Sequence, residues 1–98
     1  MLFRSLYGHT ATPWTGHFWR TPQGLECDVV LPVGGRLVPI EIKHAATLRD
    51  ADVRGLRAFM ELYPNAAKVG LLVSMKPQVQ RLARDVYNVP LGLLLNGP

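Results

Sequence analysis

Four charged residues stand where they can act together on one ion or one phosphate: Glu26, Asp28, Glu41 and Lys43. They lie in two β-rich runs, LECDVVLPV (25–33) and RLVPIEIK (36–43), separated by Gly34-Gly35. A two-residue Gly-Gly loop suits a tight hairpin, because glycine accepts positive φ at no steric cost. With those glycines as the loop, Val33 pairs with Arg36 and the register of the whole hairpin is fixed. Leu31 then faces Val38, Val29 faces Ile40 and Cys27 faces Ile42, all on one apolar face. Side chains alternate along a strand, so on the other face Asp28 falls opposite Glu41, and Glu26 opposite Lys43.

Cross-strand Cβ atoms sit about 5 Å apart, and like charges placed directly opposite are unfavourable. Asp28 and Glu41 are therefore expected to repel. Lys43 is one diagonal step from Asp28 and relieves only part of that. A divalent cation relieves more, since a hard ion such as Mg²⁺ is held by one or two carboxylates and water. The competing reading is a solvated sheet face on which Glu26–Lys43 is a cross-strand ion pair of small worth. That reading leaves the Asp28–Glu41 juxtaposition unexplained.

The elements that must position these groups can be read along the chain. His17 to Thr21 is expected to form a short strand, closed by Pro22 and Gly24. Residues 49–63 predict an amphipathic helix, with Val53, Leu56, Phe59, Met60 and Tyr63 on its apolar face. Asp50 and Asp52 suit the positive end of that helix, Thr47 is a candidate cap, and Pro64-Asn65 ends it. Residues 68–74 (KVGLLVS) predict a strand buried on both faces. Residues 77–87 predict a second helix with Pro77 at its first position, and 90–95 a last short strand or extended tail. The resulting order, strand, strand, strand, helix, strand, helix, strand, predicts an α/β fold: a mixed sheet flanked by helices.

Ninety-eight residues are expected to make a single domain over 1–98, in which 1–16 show no clear period. The net charge of +4 and a pI near 9.7 favour DNA as a partner over acidic ones, because basic groups gain from counterion release at phosphates. Arg49, Arg54, Arg57, Arg81 and Arg84 either line such a path or form solvated faces. The one cysteine, Cys27, excludes an internal disulfide, and no Cys/His spacing suggests zinc. No stretch approaches the roughly 18 apolar residues of a membrane helix, and the amino end does not resemble a signal peptide. A cytoplasmic protein with no membrane association is expected. A homodimer is expected too, through the aromatic residues Phe3, Tyr7, Trp14 and Phe18, because so short a chain has apolar surface to cover.

At Asp28 and Glu41-Ile42-Lys43 the chain resembles the PD-(D/E)XK nuclease superfamily, whose signature is an Asp on one strand and Glu-x-Lys on the next. The longer strings GLECDVVLPVGGRLVPIEIKHA and VRGLRAFMELYP look like the C-terminal nuclease-like domain of bacterial and archaeal AAA-type ATPases. The resemblance covers roughly residues 17–95. It implies a restriction-endonuclease-like mixed β-sheet with flanking helices around a βββαβ core. It also implies a site in which Asp28, Glu41 and the backbone carbonyl of Ile42 hold Mg²⁺ or Mn²⁺. The metal would polarise a phosphodiester and activate water, and Lys43 would stabilise developing charge. Two departures stand out. Many members carry a further acid before the first strand, whereas residues 1–25 contain no Asp or Glu. Either Glu26 stands in for it, or turnover is lost and a binding or interaction module remains. These 98 residues also hold no phosphate loop of the G-x-x-x-x-G-K-[ST] type, so either a stand-alone module or the remnant of a longer protein is expected.

Overall fold

The computed structural model describes residues 2–5, 17–22 and 24–96. These form one mixed sheet of seven strands, with one helix over it and a short C-terminal helix. The strands are β1 (Leu2–Ser5), β2 (His17–Arg20), β3 (Glu26–Val33), β4 (Arg36–Lys43), β5 (Gly70–Ser74), β6 (Gln80–Ala83) and β7 (Val86–Pro90). Helix α1 spans Arg54–Leu62 and α2 Leu91–Asn96. The spatial order is β1-β2-β3-β4-β5-β7-β6. Strands β1 to β4 pair antiparallel, β4, β5 and β7 pair parallel, and β6 pairs antiparallel with β7. The β4–α1–β5 crossover is the long connection that a parallel pair requires.

The hairpin of β3 and β4 has the register its glycines dictate. Val33 pairs with Arg36, Leu31 with Val38 and Val29 with Ile40, and Gly34 and Gly35 both have positive φ. The expected helix over 49–63 is present in two parts, a 3-10 turn at Asp50–Val53 followed by α1. Its cap is Arg49 rather than Thr47. Val53, Leu56 and Phe59 are buried, with Met60 and Tyr63 packed beside them. Full burial of Leu56 and Phe59 stabilises by about 1.5–3 kcal/mol each. Trp19 joins this core from β2 and meets Phe59 edge to face at 5.2 Å.

Two expectations at the carboxyl end are overturned. Residues 77–87 are not a helix; they hold β6, a tight turn at Arg84-Asp85, and the start of β7. Asp85 takes the left-handed conformation at φ 59, which Asp tolerates better than most residues. Pairing β7 beside β5 buries Val86, Asn88 and Pro90, a gain in packing that an exposed helix would forgo. The run 90–95 is not a strand, since Leu91–Asn96 is helical. Of the aromatic residues expected at a dimer contact, Tyr7 and Trp14 lie outside the described residues. Phe3 and Phe18 lie on the paired strands β1 and β2.

Helix α1 covers the face of β4 that carries Pro39, Glu41 and Lys43. A Cβ added at Gly70 would meet Met60 and Leu56 of α1 and Pro39 of β4, and Lys43 reaches the 3-10 turn. The charged face of the hairpin is thus the helix-covered one. The opposite face is partly open, with Val33 54% and Ile42 45% exposed. Among the described residues no helix is long and apolar enough to cross a membrane.

Candidate functional site

Asp28 reaches the site through an irregularity in β3. His17 pairs with Val30 and Trp19 with Cys27, so β3 carries one residue more than β2 over this stretch. Such a bulge interrupts strict alternation and re-aims side chains. The expectation that Cys27 shares a face with Val29 and Leu31 is therefore corrected. Cys27 is fully buried against α1, where its thiol donates to the Gly55 carbonyl at 3.4 Å. Burial first, and then the carboxylates of Glu41, Asp28 and Glu26, push that thiol far up, so it is no reactive thiolate. Gly55 is what lets α1 lie so close. A Cβ there would stand 2.1 Å from the carbonyl oxygen of Glu26.

At the bulge the Asp28 carboxylate replaces a backbone partner, and its Oδ2 accepts the N–H of Ile42 at 2.8 Å. The Asp28 and Glu41 carboxyls hydrogen-bond to each other. Two carboxyls can do this only if one keeps a proton. Glu41 keeps it: burial beneath α1, then the bond to Asp28 and the charges of Asp28 and Glu26, raise it to about 9, against some lowering by the Ile42 N–H. The repulsion foreseen from the register is thus relieved by a proton at neutral pH.

Lys43 has a different partner from the one the register suggested. Its Nζ lies 2.6 Å from Asp52 Oδ1 of the 3-10 turn, and both side chains are largely buried. Asp52 Oδ2 accepts the Arg49 N–H at 2.7 Å. Burial works against the Asp52 charge, but the Lys43 ammonium and the Arg49 N–H outweigh it and hold the carboxyl below its ordinary range. Glu26 is exposed and stands 3.9 Å from Arg20. The expected Glu26–Lys43 pair is replaced by these two. Glu26, Asp28 and Glu41 do not form a three-ligand metal group, and no group of three or more His, Cys, Asp or Glu suited to a metal occurs among the described residues.

The site is therefore two adjacent carboxyls, with Glu41 raised by burial and by Asp28, and a lysine on the same strand fixed by a third carboxylate. The pair supplies hard oxygen donors suited to Mg²⁺ or Mn²⁺, with water completing the shell. Ile42, whose N–H points to Asp28, can add its carbonyl on the same side of the strand. Asp52 is the residue that sequence reasoning missed, because its place in a first helical turn already explained it. Asn88 was missed too. It is buried, accepts from the Ser74 hydroxyl and donates to the carbonyls of Lys76 and Gln78 at 3.3 and 2.8 Å. With these partners satisfied, it braces the β5–β6 connection.

The chain belongs to the family described as Domain of unknown function (DUF4143), whose model matches residues 1–94. That family is associated with AAA-type ATPases. No curated protein and no solved structure matches the chain.

Proposed function

We propose that this member of DUF4143 is a nuclease-like domain of the PD-(D/E)XK type, in which a divalent cation bound at Asp28 and Glu41 serves hydrolysis of DNA phosphodiesters. The observation that carries the reading is that the Asp28 carboxylate, fixed on the Ile42 N–H, lies against Glu41 on the central strand β4, where burial and Asp28 hold the Glu41 proton, two residues from a part-buried lysine. A cation that displaces this proton gains both carboxylates at once. Loaded there, Mg²⁺ or Mn²⁺ would polarise a phosphate oxygen and lower the pKa of bound water. The chain's own part is to hold the two carboxyls together, to keep them partly desolvated under α1, and to present Lys43 to the developing charge. The strand order β2-β3-β4, α1, β5 agrees with a βββαβ core. The exposed Arg54 and Arg57 of α1 and the net charge of +4 suit a phosphate backbone. The test is incubation of plasmid and branched DNA with Mg²⁺ or Mn²⁺. Cleavage by the wild type and its loss in Asp28→Asn and Lys43→Ala support the reading.

A second reading is a nuclease-like module that binds without turnover. The observation favouring it is that only two carboxyls converge, while Glu26 turns to Arg20. Salt-sensitive DNA binding by anisotropy, with no cleavage under either metal, would select it.

A further inference from the structure

The geometry points to Asp52 as the residue that positions Lys43, fixing its ammonium on the helix-covered face of β4 that also carries Glu41. This rests on the proposed reading of the site as a phosphodiester-cleaving one. Lysine is a flexible four-carbon stem ending in a point charge, and by itself it does not stay in one place. Asp52 gives it a fixed acceptor. One oxygen takes the Lys43 ammonium at 2.6 Å, and the other takes the Arg49 N–H at 2.7 Å. The Asp52 N–H in turn donates to the Arg49 carbonyl at 2.9 Å, so the carboxylate is tied to the backbone of its own turn. Val53, the next residue, is buried in the core and anchors that turn to the sheet. The acceptor is therefore held by packing rather than by a free rotamer.

Charge balance gives the same role in the loaded site. A divalent cation with the carboxylates of Asp28 and Glu41 would be neutral as a group, so the loaded pair would no longer attract the Lys43 ammonium. Asp52 offsets the ammonium and retains it near the cation. Asp52 itself is not a ligand of that ion, since it forms no metal group with the pair. It also explains why Lys43 is not drawn to Glu26, which lies with Arg20.

The test compares wild type, Asp52→Asn, Asp52→Glu, Lys43→Ala and the double variant Lys43→Ala/Asp52→Asn. Two readouts are taken. Nitrogen-15 relaxation of the Lys43 side-chain amine reports its order directly and needs no activity. Cleavage kinetics are measured alongside Mn²⁺ affinity. The expected result is an ordered Lys43 amine in the wild type that becomes mobile in Asp52→Asn and is largely restored in Asp52→Glu. Cleavage in Asp52→Asn should fall at least tenfold, with Mn²⁺ affinity and KM for DNA within twofold. The double variant should be no worse than Lys43→Ala. An equally ordered amine in Asp52→Asn overturns the proposal, as does full cleavage by Asp52→Asn where Lys43→Ala has lost it. A wild type that never cleaves refutes the nuclease reading instead, and the order of the amine then decides the role of Asp52 by itself.

Discussion

Replacing Glu41 by glutamine should make this protein more stable at alkaline pH, and the gain should vanish in acid. Glu41 is raised from an ordinary 4.5 to about 9 by burial and by its bond to Asp28. Between those values the folded chain keeps a proton that the unfolded chain has released. Stability must then fall as pH rises through this window, because the native state binds more protons than the unfolded one. Below 4.5 the penalty is absent, and above about 9 it is constant. The limiting slope is about 1.4 kcal/mol per pH unit, or about 4 kcal/mol between pH 5 and pH 8. Glu41 is only partly buried, so solvent screening reduces this to about 2 kcal/mol. Glutamine carries a permanent donor toward Asp28 and has no proton to lose. Urea unfolding in chelator at pH 5, 6, 7 and 8 measures both proteins. The difference in stability between Glu41→Gln and wild type should widen by about 2 kcal/mol in favour of the variant. Parallel pH curves would refute the shared proton, and so would a variant that loses ground to the wild type as pH rises.

Other outcomes follow from particular contacts. Gly55→Ala should destabilise by at least about 2 kcal/mol in thermal melts, because its Cβ would stand 2.1 Å from the Glu26 carbonyl oxygen. Asn88→Ala should cost about 2–4 kcal/mol in the same melts, by leaving two carbonyls and the Ser74 hydroxyl without their partner. The proposed homodimer predicts a two-chain mass in sedimentation equilibrium at tens of micromolar, and a monomer under those conditions would exclude it.

Much of the site was legible in the sequence, for identifiable reasons. Gly34-Gly35 fixes the loop, and the alternation on both flanking runs confirms it, so the pairs from Val33–Arg36 to Val29–Ile40 follow without further information. The bulge at Asp28-Val29 was not legible, because nothing in LECDVVLPV marks an extra residue. It depends on where Trp19 and Val30 find their places in the core. Covering of the charged face was missed for a related reason. Periodicity shows that a face is charged but not which element lies over it, and here Gly55 and Pro39 let α1 settle on that side. The misread of 77–87 arose because Pro77 suits a first helical position, while the parallel pairing of β7 with β5 overrides local preference. The available signals were the Arg84-Asp85 turn and the run Val86-Tyr87-Asn88-Val89 that follows it. The run Leu91–Leu95 was open to either reading, as short apolar segments are.

Binding of Mn²⁺ to the wild type and to Asp28→Asn, followed by calorimetry in buffers of differing ionisation enthalpy, tests the central claim most directly. If the cation displaces the Glu41 proton, wild-type binding at pH 7 releases close to one proton. Its affinity should then rise roughly tenfold per pH unit toward about pH 9, and Asp28→Asn should bind far more weakly. Equal heats from the two proteins, or binding with no proton release, would contradict a metal site at Asp28 and Glu41.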